Sequence, residues 1–429
     1  MTAKRVTNGR FDRFRSESGI SLIHVGMLLF VFMGFSMFVT DLGALWLARG
    51  QAQNAADAGA LAGAIARTFD DAGDPPTVGG IVYQSAQAAV AAHGVVGAIP
   101  TAQVLPSPTT PCPPYVAAGD KCVRVDVFRD GTNGSAFLPT FFGNIFGITT
   151  QQIKATATAH MAVANATDCL RPFAVPDLFA DVNPGDANNP VGEYHHWKNK
   201  NPGKGDLLPN PDTYVKPTKG PPPDPGTGYT IANNLGQMVT LKYGNPNGSD
   251  PMTPGWYMPI DVPRADGAPA TGGARYRSNI SSCNGIPVEI GEYLLTESGG
   301  MTGPTNQGIQ ALIDQDPYAV WNTSTKTIDH SCVNNVPSCG AYSPRVIALA
   351  VYDVDKFDDS YTHGDWTDCP GGGTCVQIVN FLAFFVAGID GSGNVYGYLT
   401  REAGILTTNG GTENVGGPSA FFYVIQLIQ

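Results

Sequence analysis

The stretch ISLIHVGMLLFVFMGFSMFVTDLGALWLARGQAQNAADAGALAGAIAR, Ile20–Arg67, decides the architecture of this 429-residue chain. From Ser18 to Thr40 no residue carries a fixed charge, and Leu22–Val39 is mostly Leu, Val, Phe and Met. A helix needs about 20 apolar residues to cross roughly 30 Å of hydrocarbon. Leu22, Met27, Phe30, Phe35 and Val39 are accordingly read as positions of a membrane span. Ahead of it stand Lys4, Arg5, Arg10, Arg13 and Arg15 against only Asp12 and Glu17. Basic residues stay on the cytoplasmic side, so this pattern predicts the N-terminus inside and the C-terminus outside.

A cleaved secretory signal is the competing reading. Its apolar core runs about 7–15 residues and ends at a small-residue cleavage site. Here the run is longer, and helix-forming sequence continues from Asp41 with neither proline nor a turn cluster before Thr68. One helix over Ile20–Arg67 measures roughly 70 Å at about 1.5 Å per residue, with about half of it beyond the bilayer. Small residues recur three or four apart at Ala48, Ala52, Ala55, Gly59 and Gly63. Such a smooth strip suits close packing on partner helices.

The run Gly19–Ala66, above all DLGALWLARGQAQNAADAGALAGA (Asp41–Ala64), resembles the N-terminal segment of TadE/TadG-like proteins of the bacterial Tad (Flp) pilus-assembly machinery. An apolar helix, an Asp-Leu-Gly, a basic position and an Asn-Ala-Ala-Asp-Ala block carry the resemblance. Farther along, DCLRPFAVPD (Asp168–Asp177) has the look of the longer, TadG-like members. With the strip, Asp41, Asn54 and Asp57 are assigned to helix packing. The resemblance implies a pilin-like long helix leaning on a small antiparallel sheet. Some minor pilins of this system are cleaved after a Gly and carry Glu at the fifth mature position. Were Gly19 that residue, the fifth position here would be His24, which argues for a permanent anchor. Large members with an integrin-like metal-binding domain carry Asp-x-Ser-x-Ser. The nearest string here, Asp390-Gly-Ser-Gly-Asn394, reads as a hairpin turn.

Composition bounds the remainder. Only 14% of residues are charged, while 52 Gly and 34 Pro point to short strands, frequent turns and long loops. A net charge of −11 argues against nucleic acid as a partner. All eight cysteines lie at or beyond Cys112, which fits disulfides in an oxidising compartment. Short separations suggest Cys112–Cys122, Cys332–Cys339 and Cys369–Cys375, leaving Cys169 with Cys283. Many other pairings exist, and this one rests on separation alone. No CxxC pair and no His at ligand spacing beside a Cys supports a metal site instead.

Beyond Thr68 the pattern changes period. Gly80–His93 reads as a second helix. Cys122–Phe128 and Ile153–Ala164 alternate as strands, and PTFFGNIFGI (Pro139–Ile148) reads as a short buried helix or turn between them. Residues 200–228 are too rich in Pro and Gly for a continuous helix or central strand. They form a linker, or a surface excursion if Cys169 and Cys283 are joined. Val346–Val354, Val376–Ile389, Val395–Leu399 and Phe421–Ile428 read as strands. The fold class expected is α+β: a transmembrane helix on a pilin-like antiparallel sheet, then a β-rich exported domain. Residues 1–18 form the cytoplasmic tail, 19–67 the helix, 68–168 the pilin-like region and 169–429 the β-rich disulfide-containing region.

No HExxH helix, Gly-x-Ser-x-Gly elbow or GxxxxGK[ST] loop is present. His195-His196-Trp197 could offer metal ligands but lacks a third. Asp353, Asp355, Asp358 and Asp359 could hold Ca²⁺, although acid-rich loops are usually just solvated. No catalytic residue, metal or cofactor is expected. Two functions compete. The first is a non-enzymatic inner-membrane component of a pilus or secretion assembly, contacting other pilus-assembly or inner-membrane proteins and cell-surface components. The second is an anchored exported hydrolase or ligand-binding protein that uses the helix as a tether. A deep pocket with convergent His and carboxylates would favour the second.

Overall fold

A computed structural model describes residues 18–70, 75–114, 116, 120–182, 191–198, 205–220, 222–244, 252–267, 272–331, 343–407 and 415–428. Helix α1 (Ser18–Phe69) runs 52 residues without interruption, and α2 (Ile81–Ala91) follows beside it. Three strands come next: β1 (Thr101–Pro106), β2 (Lys121–Arg129) and β3 (Ile153–Val163). A longer series opens with β4 (Leu170–Pro176), β5 (Met238–Tyr243), β6 (Trp256–Pro259) and β7 (Tyr293–Leu295). It continues with β8 (Val346–Tyr352), β9 (Cys375–Ile389) and β10 (Val395–Thr400). The chain closes with β11 (Glu402–Ala403) and β12 (Phe422–Ile428).

The first sheet has the order β1-β2-β3-β12-β11. Its four main strands are antiparallel, with Val125 opposite Ala157 and Ile425 opposite Met161. Strand β12 comes from the far end of the chain, so this sheet draws on residues separated by more than two hundred positions. Alternation explains its faces. Val123, Val125 and Val127 of β2 and Ala155, Ala157 and Ala159 of β3 are buried against α1 and α2 in one apolar cluster. The partly exposed Arg124 and Lys154 flank them in sequence and meet at Asp126 on the other face.

The second sheet has the order β7-β9-β8-β4-β6-β5-β10, and β10 also pairs with β9. Six strands therefore close on themselves, which removes open edges that would otherwise template aggregation. The turn expected at Asp390–Asn394 joins β9 to β10. The Asp390 carboxylate accepts from the N–H groups of Ser392 (2.8 Å) and Asn394 (2.9 Å), and Gly393 adopts φ 85°. Phe173 of β4 and Tyr257 of β6 belong to the sheet's buried apolar cluster, in edge-to-face contact at 4.8 Å. Helices α3 (Gly272–Ser281) and α4 (Thr302–Ile313) cover it, their Ile280 and Ile309 fully buried.

Three bridges form as separation paired them: Cys112–Cys122, Cys169–Cys283 and Cys369–Cys375. Cys332 and Cys339 lie outside the described residues, as do the basic tail and residues 200–204 and 221 of the Pro/Gly-rich stretch. Its described parts hug the body: Leu208 is buried, and the buried Asp212 carboxylate accepts from His195 N–H (2.9 Å) and Val182 N–H (2.8 Å).

Candidate functional site

Helix α1 divides at Asp41. Below it every described side chain except Met37 is exposed, including Leu22, Met27, Phe30, Phe35 and Val39. Among the described residues this is one helix long and apolar enough to cross a membrane. Above it one face is buried, with Ala48, Ala52, Ala55, Ala56, Ala60 and Ala64 fully or almost fully covered.

The strip expected to meet partner helices is thus occupied by this chain's own α2 and first sheet. The reason is close approach. A methyl group built on Gly59 would stand 2.6 Å from Val90 Cγ2 and 3.3 Å from both Ala86 O and Val125 Cγ1. One on Gly63 would stand 3.0 Å from Val123 Cγ1 and 3.2 Å from Ala86 Cβ. Glycine at these two positions lets the helix backbones and the sheet meet without side chains between them. Asn54 is exposed. Asp57 is half-buried and accepts from Gln53 Nε2 (2.8 Å), whose amide also donates to Thr156 O of β3 (3.2 Å).

Polar ties fix the helix at both ends of this packed half. At its foot the Asp41 carboxylate accepts three backbone N–H groups: Phe141 (2.8 Å), Phe142 (3.1 Å) and Gly143 (2.7 Å). At its head Arg67 donates to Ser107 Oγ (3.1 Å) and Cys122 O (3.0 Å). Arg401 donates to Thr68 O (2.8 Å), satisfying one of the carbonyls that a helix C-terminus leaves open. The segment Pro139–Ile148 is the second correction. It holds a short 3₁₀ turn, Gly143–Phe146, but Phe141, Ile145 and Ile148 are exposed rather than buried. Among the described residues they are left uncovered, while the loop's backbone is held to α1 by Asp41.

Residues 21–67 match the Tad family. That model is described as putative Flp pilus-assembly TadE/G-like. The TadE/G-like segment therefore takes in both halves of α1, from the apolar run to the sheet-packed strip. No curated protein and no solved structure matches the chain.

Outside the TadE/G-like segment the chemistry-bearing clusters have structural partners. His195 faces Glu193 (3.4 Å), while His196 faces Asp355 (2.9 Å). Asp353 caps α5 (Val354–His363) by accepting from Lys356 N–H (2.9 Å), and Asp359 pairs with His363 one turn on (3.1 Å). No group of three His, Cys, Asp or Glu suited to a metal occurs among the described residues. Burial pushes the Asp177 carboxyl up to about 6, against hydrogen bonds from Tyr229 N–H, Leu178 N–H and Tyr214 Oη that favour its charged form. Burial likewise pushes Glu402 up to about 7, while Arg171 nearby pulls the other way. A cleft of about 440 Å³ opens where the head of α1 meets the rest. Arg67, Asp120, Lys121, Arg401 and Tyr423 supply its polar lining.

Proposed function

We propose that the protein is a non-enzymatic, membrane-anchored component of a Tad/Flp-type pilus or secretion assembly. One observation carries this reading. The TadE/G-like match at residues 21–67 covers a single unbroken helix that is bare over its apolar half and packed on a sheet over the other. A bare apolar half suits lipid and neighbouring helices in the bilayer, and the packed half makes the exported body one piece with its anchor. The body then stands at a set height and orientation above the inner membrane. The basic tail keeps the N-terminus cytoplasmic, and the bulk of the chain is periplasmic or extracellular. Contacts with other pilus-assembly or inner-membrane proteins use the lower helix and the exported surface.

Deletion of the encoding gene, with complementation, tests this. Surface filaments counted by electron microscopy are expected to vanish on deletion and return with the intact chain. A chain carrying Phe30→Asp and Phe35→Asp, which cannot hold the span in hydrocarbon, is expected not to restore them. Filaments unchanged in number and length after deletion would refute a role in assembly.

A further inference from the structure

We propose that the loop between Leu138 and Gln151 is a second membrane contact, lying in the headgroup–acyl boundary of the leaflet from which α1 emerges. The proposal rests on the membrane reading above and adds a surface to it. Its starting point is height. The apolar run Leu22–Val39 covers about 27 Å as a helix, close to the thickness of the hydrocarbon layer. Asp41, two residues beyond, is the first charged residue after that run, and the exposed Leu42, Trp46 and Leu47 follow it before Arg49. The Asp41 carboxylate holds the N–H groups of Phe141, Phe142 and Gly143, so the tip of the loop is tied to α1 at that level.

Composition agrees independently. From Gly131 to Ile153 no residue is Asp, Glu, Lys, Arg or His. Phe141, Ile145 and Ile148 are 60%, 66% and 56% exposed, three large apolar side chains on one short loop, and Phe137 just before it is 44% exposed. An exposed apolar cluster of this kind marks a contact surface.

The backbone agrees as well. Near lipid, polar main-chain groups need partners within the protein. Ile145 N–H bonds Phe142 O (3.0 Å), Gly147 N–H bonds Asn144 O (3.2 Å), and Ile148 N–H bonds Gly143 O (3.0 Å). Thr140 Oγ1 donates to Ile148 O, and Asn144 Nδ2 to Thr140 O (3.3 Å). Gly143 makes the turn possible, because a methyl group there would stand 2.8 Å from Ile148 O. Leu138 and Pro139 pair with Gln151 and Thr150 at the base. The result is a closed, uncharged, apolar-tipped finger beside an apolar helix. Apolar groups seated about 5–10 Å into the boundary region are typical of interfacial anchors.

The test uses the full chain in phosphatidylcholine–phosphatidylglycerol liposomes, with an environment-sensitive fluorophore on one introduced cysteine at a time. Ile145→Cys reports the loop, Leu29→Cys the span, and Ser392→Cys the exported hairpin turn. All three positions are exposed, so the fold is retained. Quenching by lipids carrying a nitroxide near the carbonyl is compared with quenching by aqueous iodide. The expected result is lipid quenching at Ile145→Cys at least two-fold above that at Ser392→Cys, with Leu29→Cys shielded from iodide. If Leu29→Cys sits in lipid while Ile145→Cys is iodide-accessible like Ser392→Cys, the loop contact is overturned and the anchor stands. If Ile145→Cys is shielded from both quenchers, protein covers the loop, a second copy or a partner, and the lipid contact is again overturned. If Leu29→Cys is itself open to iodide, the membrane reading fails and the proposal with it.

Discussion

Replacing Gly59 by Ala, beside the same change at Gly50, isolates the close approach that joins anchor to body. Both residues lie in α1, so both changes gain the same helix propensity, about 1 kcal/mol for Gly→Ala. They differ only in surroundings. Nothing stands within 4 Å of a methyl group at Gly50, whereas one at Gly59 meets Val90 Cγ2 at 2.6 Å. Ordinary carbon contacts begin near 3.4 Å, so Val90 or the helix must yield by most of an ångström. Val90 is 1% exposed and stiff at χ1, and Ala86 O and Val125 Cγ1 at 3.3 Å block the retreat. Overpacking of this kind costs about 1–3 kcal/mol. Gly50→Ala is therefore expected to stabilise the packed half by about 1 kcal/mol. Gly59→Ala should leave it about 2 kcal/mol less stable than Gly50→Ala does. The assay is hydrogen exchange at α2 amides of the full chain in detergent, with urea to reach the opening transition. Val90→Ala in the Gly59→Ala background should recover part of the loss, a coupling measurable in a double-mutant cycle. Equal protection in the Gly50→Ala and Gly59→Ala chains would refute the packing of α1 on α2 described above.

Arg345 is buried and donates to four main-chain carbonyls, those of Asp316, Ala319, Val386 and Ala387. Arg345→Met leaves them without their donor and is expected to cost about 4 kcal/mol, read as a fall in the urea midpoint. The Cys169–Cys283 bridge closes a separation of 114 residues, and Cys169→Ala with Cys283→Ala should cost about 2–5 kcal/mol in the same assay. The pH dependence follows from Asp177, whose carboxyl is raised from 3.8 to about 6 by burial. The folded chain holds that proton more tightly than the unfolded one, so this contribution is fully present below pH about 4. It is lost as pH rises to about 6, on the order of 3 kcal/mol. Asp177→Asn should flatten that part of the stability profile, measured by urea unfolding from pH 4 to 7.

Local order was readable wherever one face of an element is buried. Ile153–Val163 and Val395–Thr400 end within a residue of the expected runs, because alternation tracks burial directly. The hairpin turn at Asp390–Asn394 was legible for a similar reason, since Asp and Gly there do one local job. Neighbour identity was not. Nothing in the period of β12 says that it leaves the second sheet to pair with β3, or that β4 lies parallel to β8. Alternation states which face is apolar and is silent on which strand lies alongside. Ring closure through β9 and β10 is hidden for the same reason, and so is the burial of Asp177, whose partner Tyr214 arrives from the Pro/Gly-rich stretch and Tyr229 from just after it.

The two misread segments share one cause. Small residues three or four apart on α1 read as an interface between chains, and an aromatic-rich run reads as core. In each case composition says that a surface will be covered, or will be apolar, without saying by what. For the strip the missing partner was in the sequence all along: β2 and β3 alternate valine and alanine on one face, sized to meet a helix of alanine and glycine. A chain that carries its own smooth sheet has no need of a second helix on that face of α1, which leaves exposed the half below Asp41 and the opposite face above it, with Leu42, Trp46 and Leu47. For Pro139–Ile148 the decisive residue was a hundred positions away. Asp41 follows the long apolar run and also holds the aromatic loop, so one carboxylate sets where the packed half of α1 begins and where the apolar finger emerges beside it. Asp41→Ala would free three main-chain N–H groups together, and the loop and the foot of the packed helix are expected to loosen as a unit rather than one at a time.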